Sequence, residues 1–304
     1  MRRIAKRDHS DNFDPQAALM MPIKPFVIQK ISDHGTENPI VARLSLQTQD
    51  LLQWCGLSPE KKEEVFGIYF TQLQRRLLKC SDVVARLKKS RDQSISNVAS
   101  VVEQGAHSAP FVINLHDELE TFLFEAKLFL RDTLNVINVF FGTTFNEASV
   151  FFPIRGKKDS KSKLVSWGER TLGSDHPFVN MLSTEEYWIS DIIYSRNAVE
   201  HPGGHSGTLV VENFKITPVG LAPPTWKRVG NEPRPSTFVF HDLDVVQHNM
   251  LTFAEDILLF GIENHPIAPQ LPVVFYEIPE KERDPKCPIR FCGSVKLPSP
   301  PSDA

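Results

Sequence analysis

Apolar positions along residues 110–141 step by four and three. Leu115, Leu119, Phe122, Ala126, Phe129, Thr133, Val136 and Phe140 form one row, and Leu123, Leu130, Leu134, Ile137 and Phe141 a second beside it. Two adjacent rows make a broad apolar face, which predicts a long helix at the centre of a bundle. Glu118, Glu125 and Asp132, seven apart, run along the edge of that face and read as a solvated margin. An earlier helix opens at Ser58-Pro59-Glu60, with Ser58 as N-cap and Pro59 in the first turn. Val65, Ile68, Tyr69, Leu73, Leu77, Val84 and Leu87 carry it to about Lys89, and the Ser/Gln/Asn-rich stretch 90–109 reads as loop or partial helix.

A third, shorter helix is expected from Thr184 to His201, with Ser183 as its N-cap and Pro202-Gly203-Gly204 as its stop. A fourth runs from Asp242, read as an N-cap, to about Glu263, with Leu243, Val246, Met250, Phe253, Ile257 and Phe260 at helical spacing. Strand-like runs lie elsewhere. Residues 24–31 and 39–48 suggest a hairpin about Asp33-His34-Gly35. Residues 207–217, 224–229 and 236–241 suggest a small antiparallel meander, and 273–278 with 288–297 two strands in a Pro-rich tail. The expected fold is mainly α: an antiparallel bundle of four to five core helices, with an inserted β meander and β-rich termini. Its parts are a tail and hairpin at 1–57, a helical domain at 58–265 with the insertion at 207–241, and an extension at 266–304.

Composition narrows the classes. The chain has 304 residues, 41% hydrophobic and 23% charged, which suits a globular protein and not a disordered or fibrous one. A net charge of −3 provides no bulk basic field, so contact with nucleic acid has to be local. The basic loop 154–166 is one such local patch, although most such loops are merely solvated. No run of eighteen apolar residues suggests a membrane span, and no apolar segment follows the basic N-terminus as a secretory signal requires. Cys55, Cys80, Cys287 and Cys292 match neither a zinc pattern nor a disulfide framework, so a reduced, cytoplasmic protein without membrane partners is expected. P-loop, dinucleotide, G-x-S-x-G and H-E-x-x-H signatures are missing.

Chemistry concentrates at the end of the third helix, Tyr194 to Pro202. Helical steps from Ile192 and Ile193 place Arg196 toward the core, with Asn197 at the margin. A guanidinium there requires a carboxylate, a phosphate or an open cleft, and Glu118 or Glu125 of the preceding long helix are candidate partners. His201 lies four past Asn197, so Arg196, Asn197 and His201 are placed to share one groove. Cations near a helix C-terminus also have a purely structural use, as caps or as complements to the dipole. A metal site built from His201, His205, His241, Asp244 and His248 is the competing chemistry; the Pro-Gly-Gly break between the first two histidines argues against it. No metal and no cofactor is therefore assigned.

Arg196-Asn197-Ala198-Val199-Glu200-His201 resembles the R-x(4–6)-H motif of the HEPN superfamily, including its polar residue directly after the arginine. The resemblance spans roughly 59–263, with the strands of 207–241 as additions. It implies an all-α HEPN-type bundle with metal-independent endoribonuclease activity. In that family such domains serve as toxin, defence or RNA-processing nucleases. They commonly form homodimers in which two motifs line one RNA cleft, and some have an antitoxin or regulatory protein as partner. Arg196 and His201 would be the catalytic pair. Histidine titrates near neutrality and suits proton transfer, arginine forks onto phosphate oxygens, and Asn197 would orient one or the other. The alternative is a non-catalytic module of the same fold that binds RNA, a nucleotide or a protein.

Overall fold

The computed structural model describes residues 33–102, 108–153, 161–268, 270 and 273–295. Residues from Thr36 onward form one compact unit. The expected tail at 1–23, the strand at 24–31, the basic stretch 154–160 and the end of the chain beyond 295 lie outside the described residues.

Among the described residues, six helices longer than a single 3-10 turn build the unit. The first, α1, corrects the expectation of a strand at 39–48. It starts as an α-turn at Pro39–Val41, widens to π geometry over Ala42–Gln47, and runs through Thr48–Leu51 to a 3-10 turn at Leu52–Trp54. Asn38 caps it by accepting from the Ile40 N–H, with Pro39 in the first turn. Ile40, Leu44, Leu51 and Leu52 are buried at helical spacing, so tertiary burial overrides the β-like look of the segment.

Helix α2 is continuous through Pro59–Gly67, a π turn at Ile68–Leu73, and Gln74–Val102. Ser58 accepts from Lys61 N–H as its N-cap. Every apolar position assigned to it above is buried, and it extends past Lys89 into the polar stretch left open above. Helix α3, Leu115–Phe141, packs against α2 and against two later helices, at Pro177–Glu200 and Val239–Glu263, and is the central element expected of it. It ends at Gly142, whose φ of 66° lets its N–H reach Asn138.

The acidic row of α3 is no solvated margin. Arg86 of α2 forks onto Glu118 at 2.8 and 2.7 Å. Arg76 and Lys79 donate to Glu125 at 2.9 and 2.7 Å. Asp132 takes Arg131 at 3.0 Å, with Arg76 at 3.5 Å. Glu125 and Asp132 are buried, which requires this compensation.

Two helices follow, α4 at Lys163–Leu172 and α5 at Pro177–Glu200. The N-cap of α5 is His176, whose Nδ1 accepts from Phe178 N–H. Ser183 therefore lies inside the helix rather than at its start. The inserted strands β1 (Thr208–Glu212), β4 (Thr225–Val229) and β5 (Arg234–Phe238) form an antiparallel sheet in the order β1-β4-β5. A hairpin of β2 (Lys215–Thr217) and β3 (Gly220–Ala222) extends from it. Helix α6, Val239–Glu263, begins without a side-chain cap. Asp242, expected as that cap, instead sits in the first turn and accepts from Trp226 Nε1, Arg234 and Thr237.

The last strands, β6 (Val273–Glu277) and β7 (Phe291–Val295), pair antiparallel with Phe275 opposite Gly293. Gly293 admits the Trp54 indole of α1: a Cβ there would stand 2.3 Å from Trp54 Nε1. Cys55 and Cys80 are buried thiols, Cys287 and Cys292 half-buried ones, and all four are free. Among the described residues no helix is long and apolar enough to cross a membrane.

Candidate functional site

Helix α5 divides its polar residues between two neighbours. Toward the inserted sheet, Asp191 receives Arg228 at 2.9 Å and Arg234 at 3.2 Å. Arg228 also donates to the Asp191 carbonyl at 2.8 Å and to Ser195 Oγ at 3.2 Å, and its guanidinium stacks over Tyr194. Burial raises the Asp191 carboxyl above its ordinary range, and Arg234 and Arg228 oppose that. This network fastens the insertion to the bundle.

Toward α3, the same helix presents Ile193, Arg196, Asn197 and Glu200. They form one wall of a groove of about 460 Å³. Phe124, Lys127, Leu128 and Arg131 of α3 form the opposite wall, and residues 146–149 with Phe152 also line the groove. A second hollow of about 360 Å³ adjoins it through Phe124, Arg196 and Glu200.

Arg196 is mostly buried, with 15% of its side chain exposed. Its Nη1 lies 3.1 Å from Glu200 Oε2, yet off the hydrogen-bond direction, and is sealed without a hydrogen-bond partner. The guanidinium rests against the face of Phe124, 5.4 Å from the ring centroid. Asn197 accepts from Lys127 Nζ at 2.8 Å, and Lys127 Nζ stands 3.8 Å from Glu200. Partial burial lowers the Lys127 ammonium from its ordinary value; Glu200 counters this and Arg196 adds to it. Arg196, Lys127, Asn197 and Glu200 are thus one cluster, in which a single carboxylate is shared by two cations.

The structure brings Arg196 and Asn197 together but leaves His201 apart. His201 is the exposed C-cap of α5, and its ring lines neither hollow. Its backbone N–H bonds Asn197 at 2.9 Å and its carbonyl accepts from Gly204 at 2.9 Å, which starts the tight turn into β1. Glu118 and Glu125, the candidate partners of Arg196, are taken by α2, so Glu200 fills that place. Lys127, Arg131 and Phe124 were missed above. Their signal was a 124, 127, 128, 131 stripe on the α3 face away from both apolar rows.

Chemically the groove offers a guanidinium short of acceptors, an ammonium, an amide and an aromatic face that is 45% exposed at Phe124. Such a set fits an anion carried on a planar or ring-bearing compound. For metal chemistry, the described residues contain no cluster of three His, Cys, Asp or Glu side chains placed to hold an ion. Asp244 pairs with Lys88 at 2.7 Å and His205 with Glu232 at 3.8 Å. Comparison of the chain with protein-family models, with curated proteins and with solved structures finds no match.

Proposed function

We propose that this protein binds the sugar–phosphate chain of RNA in the groove between α3 and α5 and cleaves it without a metal, as a HEPN-type endoribonuclease. The observation that carries the reading is the Arg196 guanidinium. It is mostly buried, held by Phe124 and Glu200, and no hydrogen bond reaches it among the described residues. Buried donors are rarely left so, and a phosphate oxygen that displaces the Glu200 carboxylate from beside Nη1 supplies the missing acceptor. Lys127 adds a second charge, and Phe124 a surface on which a base can stack.

In the cleavage step the ribose 2′-oxygen attacks phosphorus and its proton passes to a base. The 5′-oxygen leaves and receives a proton from an acid. The products are a 2′,3′-cyclic phosphate and a 5′-hydroxyl. Arg196 stabilises the phosphorane charge. His201 supplies proton transfer, and in a homodimer two His201 rings facing one cleft divide the base and acid roles. The resemblance of the Arg196–His201 string to the HEPN motif supports this assignment, together with a role in defence, toxicity or RNA processing. An antitoxin or regulatory protein is a further proposed partner.

A second reading is favoured by one observation: the His201 ring lies outside the groove. In that reading the protein binds RNA and does not cut it. Incubating purified protein with single-stranded RNA in EDTA separates the two. Cleavage that disappears in both Arg196→Ala and His201→Ala supports the nuclease. Tight binding without cleavage supports the binding module, and neither binding nor cleavage overturns both.

A further inference from the structure

A second polar pocket lies on the opposite chemistry of the fold, where α1, α6 and the C-terminal strands meet. It encloses about 550 Å³, within the usual range of small-molecule sites, and Arg43, His248, Arg283, Arg290, Glu277 and Glu280 line it. An alternating chain of charges runs along this wall to Glu255 behind it. Arg43 forks onto Glu255, with Nε at 2.6 Å, and Arg290 reaches the same carboxylate at 3.3 Å. Arg290 also forks onto Glu277, at 2.9 and 3.2 Å, and Arg283 meets Glu277 at 3.0 Å. Three guanidiniums thus share two carboxylates, and an arginine stands at each end.

The end arginines have donors to spare. Arg43 uses Nε and Nη2 on Glu255, and Arg283 uses Nε on the Ile278 carbonyl and Nη2 on Glu277. Their Nη1 groups make no hydrogen bond among the described residues. Both arginines line the pocket, and neither Nη1 is among the sealed, unbonded nitrogens of the described residues. Arg43 is itself 93% buried in its side chain, given 7% exposure, and Glu255 fixes its orientation. Preorganised donors of this kind bind an oxyanion at little entropic cost. Asp256 is within electrostatic reach of Arg290 and Arg43 but does not line the pocket. Glu280 does line it and has no pair among the described residues, which leaves an acceptor for a hydroxyl.

We infer that this pocket binds a small phosphate monoester that carries hydroxyl groups, with the phosphate between Arg43 and Arg283 and a hydroxyl on Glu280. The site is separate from the α3–α5 groove and does not depend on the function proposed for it. Arg43→Ala would leave the buried Glu255 with Arg290 as its one charged partner, beside the Gln47 amide, and endanger folding. Arg283→Gln is the better variant, because Glu277 keeps Arg290.

Titration calorimetry with ribose 5-phosphate at fixed ionic strength tests the inference in the full chain carrying Arg196→Gln, which disables the phosphate anchor of the other groove. Saturable binding that Arg283→Gln weakens about ten-fold or more, with an unchanged Tm of the unliganded protein, is the expected result. Inorganic phosphate should bind the same site more weakly, and ribose should not bind. Absence of saturable binding at millimolar ligand, or equal affinity with and without Arg283, overturns the inference.

Discussion

On the proposed reading, Glu200 holds the place that a phosphate would take. Its carboxylate lies 3.1 Å from Arg196 and 3.8 Å from Lys127, so bound RNA would compete with it for both cations. At such distances a charge pair is worth about 1 kcal/mol in water and about 4 kcal/mol at a typical protein surface. Glu200 is 41% exposed, so the lower end applies, and measured exposed pairs give roughly 0.2–1 kcal/mol each. Two pairs therefore withhold about 0.4–2 kcal/mol from an incoming phosphate, equivalent to roughly 2–30-fold in affinity. Glu200 is also the last residue of α5, where the helix dipole disfavours an anion, so its removal should cost little stability. Glu200→Gln is expected to tighten RNA binding by that factor. Fluorescence anisotropy of a short single-stranded RNA in EDTA, repeated across salt concentrations, reads it. The salt slope should steepen by about 0.7 for each cation newly committed to a phosphate. Unchanged or weaker binding by Glu200→Gln, with an unchanged slope, would refute the placement of phosphate in this cluster.

Other outcomes follow from the packing. Arg228→Ala strips Asp191 of its closest partner inside the sheet–α5 junction and should cost about 3 kcal/mol in urea denaturation, since Arg234 remains beside the carboxylate. Asp256 is pushed up to about 6 from 3.8, first by burial and then by Glu255, against the pull of Arg290. Its folded-state pKa is raised, so its neutral form favours folding below the ordinary value and that contribution is lost as pH climbs through about 6. Asp256→Asn should therefore gain on the parent across that window, by at most about 3 kcal/mol, in denaturation series at successive pH values. Two glycines should respond oppositely to alanine in thermal melts. Gly67 is helical with nothing within 4 Å of a new Cβ, and should stabilise by about 1 kcal/mol. At Gly261 the Cβ would stand 2.4 Å from the Phe140 ring, and the loss should be about 1–3 kcal/mol.

Elements with long-range apolar rhythm were legible in the sequence. The double row of α3, apart from the half-buried Phe141 at its end, and the helical spacing of α2 are buried as read, because a helix that packs on several sides has to repeat its apolar pattern. The α1 segment misled through Leu44-Ser45-Leu46, whose alternation looks strand-like. Leu46 is in fact exposed while Leu44 is buried, and the Asn38-Pro39 cap was the better local signal. The site was legible as far as Arg196 and Asn197, adjacent on one helix; Glu200, one turn on in the same helix, was passed over as the partner of Arg196 in favour of Glu118 and Glu125. Lys127 was not legible, because it comes from another helix and is polar on a face with no apolar rhythm. The partners of Glu118 and Glu125 were lost for the same reason. Arg76, Lys79 and Arg86 become their neighbours only when α2 and α3 pack.

The most direct measurement is a map of where RNA touches the protein. Single-stranded RNA carrying 4-thiouridine, photocrosslinked in EDTA and analysed by peptide mass spectrometry, reports it at residue resolution. Adducts on Phe124, Lys127 and their neighbours across the α3–α5 groove are expected, and they should fade in Arg196→Gln. Adducts confined to other faces of the protein, with the groove unlabelled in parent and variant alike, would contradict the assignment.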